Sequence, residues 1–293
     1  MLVVEWNVDS QLMQALTPRR LVALEPGRTK APRTFPSHDI RSRLCSTHPS
    51  TVVSDLSDDL REVLGDFQDL SEAIIQLLAD SDVLYTSPFA ACCMVFRVSE
   101  GIAVKVTVDE YIQTEYRTLA YLQEHLPNFP APKLHGVIRL GRCGLLFSSL
   151  IPGTDLDKAW PQLADADKRA ISAELDSLLA DLRSLPHSPG TPLGGVGGQG
   201  CKDTRRFIRT SSEPIMDVKQ FEDFIFSGSK VASPLYIRFL RDLIPTPPAK
   251  VVFTHGDIRP AISWWTRPNP EPGLRWLLLT GTLAASTPST GSA

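Results

Sequence analysis

Several things are missing from this sequence, and each absence narrows what the chain can be. No apolar run approaches the ~18 residues of a membrane-spanning helix, so none is expected. Charge of either sign is not in excess: the formal net charge is −3. A generic nucleic-acid binder, which lives on neutralising phosphates with Lys and Arg, is thereby excluded. Cysteines number five, an odd count, and none of Cys45, Cys92, Cys93, Cys143 and Cys201 forms a CxxC pair. That fits neither a disulfide framework nor a zinc site, and a reducing cytoplasm is the expected location. The opening MLVVEWNVDS has no cationic lead-in and is not read as a secretory leader. What remains is 293 residues, room for one large domain or two lobes with a proper core.

The pattern along the chain is uneven. Residues 1–54 show no sustained periodicity and contain an Arg- and Pro-rich stretch, so they are expected to be a disordered N-terminal extension. A helix is expected from Ser54 or Asp55, because Leu56, Leu60, Val63, Leu64, Phe67, Leu70, Ile74, Leu77 and Leu78 recur at three and four. MVFRV and IAVKVTV then alternate around Ser99-Glu100-Gly101, the signature of an antiparallel hairpin. In its second strand Ile102, Val104, Val106 and Val108 share one face, and Ala103, Lys105 and Thr107 the other. A helix over about 110–124 places Glu115 on the same stripe as Leu119 and Leu122. LHGVI and GLLFSSL read as two more strands. Helices follow, marked by Ile171, Leu175, Leu178, Leu179, Leu182 and Leu185, then by Phe221–Phe226 and Pro234–Leu243, and KVVF reads as a short buried strand. The fold class is α+β, with residues 55–150 a β-rich N-lobe, 151–266 a partial helical C-lobe and 267–293 a tail without order.

The sharpest local signal is Thr254-His255-Gly256-Asp257-Ile258-Arg259-Pro260, a carboxylate in a turn after an apolar segment. Kinase-type phosphoryl transfer needs such an aspartate to accept a hydroxyl proton, although an Asp in an ordinary turn looks the same. Lys105, on a strand and facing away from the valines, has the placement of a lysine that pairs nucleotide phosphates, and Glu115 is its natural partner. Alone it would read as a solvated edge lysine; the order Lys105, Glu115, Asp257 is what favours function. The glycines Gly194, Gly195, Gly197, Gly198 and Gly200 do not follow GxxxxGK[ST] and are read as a flexible substrate-side loop. Arg205, Arg206 and Arg209 read as a solvated face, Cys92-Cys93 as small buried hydrophobes, and His135 and His187 as loop or core residues.

In order along the chain, LYTSP, VFRVSEGIAVKV, TEYRTLAYL, APKLHGV, LLFSSLIPGTDLDKAW, GGQGCKDTRRF and FTHGDIRP resemble the aminoglycoside phosphotransferase and choline kinase-like family, in particular its fungal members. The resemblance spans about Leu56 to Ala261. It implies a bilobal protein-kinase-like fold, ATP and magnesium as cofactors, and transfer of a phosphoryl group to a small-molecule hydroxyl acceptor, with no nucleic acid or membrane partner. By the same resemblance Asp257 would be the catalytic base, Lys105 would hold the α- and β-phosphates, Glu115 would orient Lys105, and Phe147 to Leu150 would be the hinge that receives adenine.

The chain departs from that family where metal is bound. Five residues after the catalytic aspartate the family carries a magnesium-binding Asn; here Ile262 offers no oxygen. A second aspartate, in a segment close to I-D-W-E, is also missing, since no Asp occurs from Ile262 to Ala293. The stretch Ser87 to Cys93, expected over the phosphates, contains no glycine. A one-base offset accounts for both metal sites. AAT ATC ATG GTG GAC, which encodes N-I-M-V-D, reads as Ile262-Ser263-Trp264-Trp265-Thr266 when its first base is lost. ATC GAC TGG GAG CGC, which encodes I-D-W-E-R, likewise becomes Ser289-Thr290-Gly291-Ser292-Ala293. A shifted frame after Ala261 is therefore the leading expectation, mis-splicing or a pseudogene giving the same protein. The chain as written is expected to be an inactive or impaired phosphotransferase, the alternative being a nucleotide-binding pseudokinase used as a binding module.

Overall fold

A computed structural model describes residues 34–87, 92–107, 112–151, 153–196, 198, 200–203, 209–227, 231–243, 251–254, 263–266 and 273–276. The chain divides into Met1–Thr34 and Phe35–Ala293, and every element below belongs to the second unit.

Residues ahead of Asp55 already take part in the fold. Asp39 caps a 3-10 turn over Ile40–Arg43, accepting from the Arg41 backbone N–H, and Ile40 is fully buried. Strand β1 (Ser50–Ser54) pairs antiparallel with a later strand. Residues 35–54 are thus part of the fold and not an extension; a single buried Ile and an edge strand need too few apolar residues to leave a periodic trace.

The long apolar stripe after β1 is not one helix but two, α1 (Asp58–Leu64) and α2 (Leu70–Asp80). Gly65 ends α1 at φ 68°, a conformation that favours glycine, and Asp69 starts α2 by accepting from the N–H groups of Ser71 and Glu72. Ser57 caps α1 by accepting from Leu60 N–H at 3.2 Å, and its hydroxyl also meets His135 Nδ1 at 2.8 Å. Ser57→Ala should lower stability by about 1 kcal/mol, seen as a lower urea midpoint with an unchanged slope. An unchanged midpoint would mean that α1 is held by packing alone.

Strands β2 (Asp82–Thr86), β3 (Cys93–Arg97) and β4 (Ile102–Thr107) follow, then α3 (Ile112–His125), β5 (Leu134–Leu140) and β6 (Cys143–Ser149). The strands form one antiparallel sheet in the order β1-β5-β6-β4-β3-β2. Its two faces differ. Met94, Phe96, Ile102, Val104, Val106, Leu145 and Phe147 point to the face covered by Leu60 of α1 and Ile74 and Leu78 of α2. Val137 and Leu146 point to the other, where Ile112, Leu119 and Leu122 of α3 pack together with Leu182 and Phe253.

Beyond the sheet come β7 (Thr154–Asp155), α4 (Leu156–Ala159) and α5 (Asp165–Ser184), whose Ile171, Leu178 and Leu182 are buried. A short pair, β8 (Lys202–Asp203) and β9 (Arg209–Thr210), precedes α6 (Val218–Phe226) and α7 (Pro234–Asp242). Arg241 of α7 bonds both Glu222 and Asp223 of α6, while Leu235, Tyr236, Phe239 and Leu243 stay exposed. Val251–Thr254 is irregular rather than a strand, although Val252 and Phe253 are buried: three apolar residues at this spot find packing partners but no strand ladder. Finally β10 (Ser263–Thr266) pairs with β11 (Gly273–Trp276) and with β7. The stretch expected without order therefore includes a strand, β11, among its described residues, and two Trp in β10 supply strand-favouring residues. The fold class is α+β, as the alternation of periods implied. Among the described residues no helix is long and apolar enough to cross a membrane.

Candidate functional site

The site grows out of β4. Its odd-numbered companions of Lys105, Ala103 and Thr107, are buried on the α3 side, while Ile102, Val104 and Val106 fill the opposite core. The parity of the strand therefore sends one long cation toward α3. Lys105 pairs in register with Val95 of β3 and Leu146 of β6, so its backbone is fixed in the middle of the sheet.

Glu115 meets it from α3. The carboxylate lies in the first turn of the helix, where the exposed N–H groups favour negative charge. Lys105 Nζ donates to Glu115 Oε2 at 2.5 Å, with side-chain exposures of 14% and 7%. At that burial the pair is a fixed structural contact and not a solvated surface bridge. Burial pushes the Glu115 carboxyl above the usual carboxylate range, and Lys105 acts against that by its charge and its hydrogen bond. Burial, the largest influence, sets the direction.

Two further details hold α3 in place. Gly144 of β6 lies under Ile112: a Cβ there would come within 2.7 Å of Ile112 Cγ2, so glycine permits the close approach of helix to sheet. Thr114, beside Glu115, accepts a hydrogen bond from Lys202 Nζ at 2.8 Å. Lys202 lies in β8, after the glycines, and ties that strand to α3. The sequence carried no signal for this contact, because the two residues are 88 positions apart.

Cys93 faces Thr107 in the register beside the pair, and burial raises its thiol above the ordinary range, as it does for Cys143. Burial pushes Cys201 up to about 11, and its Sγ lies 3.3 Å from the Leu193 carbonyl. All three are neutral thiols near pH 7.

Other expected positions fall differently. Phe147 is fully buried, on the α1–α2 face, opposite the one Lys105 occupies. In the expected hinge Ser149 N–H donates to Lys133 O and Leu150 N–H to Gly101 O, each at 2.8 Å, so both donors are committed inside the protein. An adenine received here would need donors from 151 onward. Arg209 is half-buried and engaged within the protein: it donates to Ser227 Oγ and Ile225 O and stacks on Phe224, a cation placed at the C-terminal end of α6. His135 sits half-buried on Ser57, and His187 is exposed beside Thr191. Asp257, Ile262, Arg205 and Arg206 lie outside the described residues. Phe253, four residues before Asp257, stacks on Tyr121 of α3 with ring centroids 5.8 Å apart. One helix thus touches Lys105 near its start and the segment leading to Asp257 near its end.

Among the described residues no group of His, Cys, Asp and Glu forms a metal-binding cluster.

No family model matches the chain, and no curated protein matches it. Among solved structures, the streptomycin–ATP–APH(2")-IIa ternary complex is similar to it, with 14% sequence identity and a TM-score of 0.33. The match covers 42% of this chain and 42% of that one, less than half of either.

Proposed function

We propose that this chain is a protein-kinase-like domain of small-molecule phosphotransferase ancestry, of the fungal aminoglycoside phosphotransferase and choline kinase-like type, that holds a nucleotide without transferring its phosphoryl group as written. The observation that carries the reading is the buried Lys105–Glu115 pair, a strand lysine met by a carboxylate from the first turn of the helix packed on that strand. It supports Lys105 as the ligand of the α- and β-phosphates and Glu115 as its positioning partner. Asp257 is the base in this reading, carried by FTHGDIRP. The acceptor is a small-molecule hydroxyl, and the working place is the cytoplasm.

Impairment follows from chemistry. Ile262 and the absence of Asp from 262 onward leave the β- and γ-phosphate charge without metal clamping. Losing that electrostatic stabilisation lowers transfer by roughly 10³-fold or more. In this reading the residues after Ala261 come from a one-base shift of the frame.

The test is binding of a fluorescent ATP analogue, with and without Mg²⁺. Saturable binding that Mg²⁺ does not strengthen is expected, and Lys105→Arg, which keeps the charge near Glu115 but not the geometry, should weaken it about tenfold. No saturable binding by the folded chain would sink the nucleotide reading. Clear Mg²⁺-dependent turnover, abolished by Asp257→Asn, would overturn the impairment. A transcript that reads on without an Asn codon when one base is inserted after codon 261 would remove the frame account and leave a pseudokinase binding module.

A further inference from the structure

The chain holds a cavity that the nucleotide reading does not use. It measures about 440 Å³, within the range of small-molecule sites. It lies between Tyr121 of α3, the stretch that leaves α5 at Leu185, the glycine turn after Leu193, and Val251–Phe253. Neither Lys105 nor Glu115 is among its described lining residues.

Its walls have a distinct chemistry. Among the described lining residues none is Asp, Glu, Lys or Arg. Among the described lining residues, a phosphate-bearing ligand would find no Lys or Arg to offset its lost hydration, which favours an uncharged occupant. The apolar surface comes from buried Leu185, Leu193, Val252 and Phe253, and from Pro186 and Pro192. Gly194, Gly195 and Gly198 add a wall of bare backbone. Gly194 is held there at φ 127° by the tight return of the chain onto Gly200. A wall without Cβ atoms lets a planar molecule lie against peptide groups. Among the lining side chains, polar groups come from Tyr121 and from a cluster in which His187 Nε2 and Thr191 Oγ1 are 3.1 Å apart, with Ser188 next to His187 in sequence.

We propose that this cavity is a binding site for an uncharged, planar aromatic molecule of two or three rings, its one hydroxyl or carbonyl directed to His187 and Thr191. The apolar body fills the space between Phe253 and the glycine wall. The ligand is chosen by flatness and neutrality, and the polar cluster sets which way round it enters.

The probe is N-phenyl-1-naphthylamine, neutral and brighter in apolar surroundings, added to the full chain without nucleotide. One saturable site per chain is expected. Ser188→Trp, at an exposed rim position, and Val196→Trp, in the wall, should each weaken binding at least about tenfold. Phe239→Ser, on the exposed apolar face of α7, should leave it unchanged. Binding that neither Trp variant weakens, or that Phe239→Ser removes, overturns the proposal, as does a signal that never saturates. Because the assay holds no nucleotide, its failure leaves the reading of Lys105 and Glu115 standing.

Discussion

Lys105→Met should lower the unfolding free energy by about 3–5 kcal/mol at neutral pH, because it strands a buried carboxylate. Glu115 is 7% exposed and its neighbours are α3 and the middle of the sheet, so water cannot replace the lost ammonium. The loss should depend on pH, with a definite sign. Burial already raises the Glu115 carboxyl, and Lys105 is what opposes it. In the variant that opposition is gone and the folded-state value climbs further. A carboxyl raised in the folded state contributes stability that is fully present below its unfolded value, ~4.3, and is lost as pH rises through the folded value. The difference between parent and variant should therefore be small near pH 4.5 and largest above pH 7. Urea unfolding of both proteins at several pH values measures it, and all groups shared by the two cancel. A difference that stays flat from acid to neutral pH would show that Glu115 is solvated and that the pair is not the buried contact described.

The second large effect is expected at Gly194→Ala. A Cβ on Gly194 would sit 2.2 Å from Gly200 O and 2.3 Å from Gly200 C. Both are backbone atoms, so no side chain can rotate aside. The left-handed φ of 127° adds strain of its own. Together these should cost on the order of 3 kcal/mol or more, and they should open the turn that Gly195 N–H closes by donating to Gly200 O. Gly198→Ala separates the two causes: its φ is 80°, yet nothing lies within 4 Å of its Cβ, so only strain of roughly 1 kcal/mol is expected. Thermal unfolding of the two variants gives the comparison, and cleavage by a protease between residues 186 and 201 reports the opened turn. Equal small losses at both positions would mean that the glycine segment adapts, and that its contact to α3 through Lys202 is not tight.

The sheet was legible because its signals are local. MVFRV and IAVKVT alternate over a few residues, and the same parity places Lys105 opposite the valine face. Glu115 was legible for the same reason, as one residue on a stripe with Leu119 and Leu122. What failed were boundaries and long-range contacts. The apolar repeat runs straight through Gly65, so periodicity alone joins two helices that one left-handed residue separates. β1 is a mixed Ser, Thr and Val segment whose partner β5 lies far along the chain, and only that pairing makes it a strand. Arg209 looks solvated in RRFIR because nothing nearby in sequence announces the end of α6 that it meets. Phe147 has the alternation of a strand on both readings; only the sheet shows which face receives it. Phe253, just ahead of the HGD motif in sequence, stacks on Tyr121, a contact between residues over a hundred positions apart that no local pattern announces.

The far edge of the six-stranded sheet bears on how copies of this chain behave at high concentration. β2 is the terminal strand, and Val83, Leu84 and Tyr85 on it are 44%, 41% and 44% exposed. An exposed apolar edge is a template on which another molecule's strand can continue the ladder. The pairing of β2 with β3 skips at Leu84: Val83 faces Phe96, and Tyr85 faces Val95. The extra residue kinks the edge and puts its outward groups out of step, so an incoming strand meets a broken register after Val83. Asp82 adds a charge at one end of it. Deleting Leu84 would straighten that edge, and the cost would fall on solubility, with the interior of each molecule unchanged.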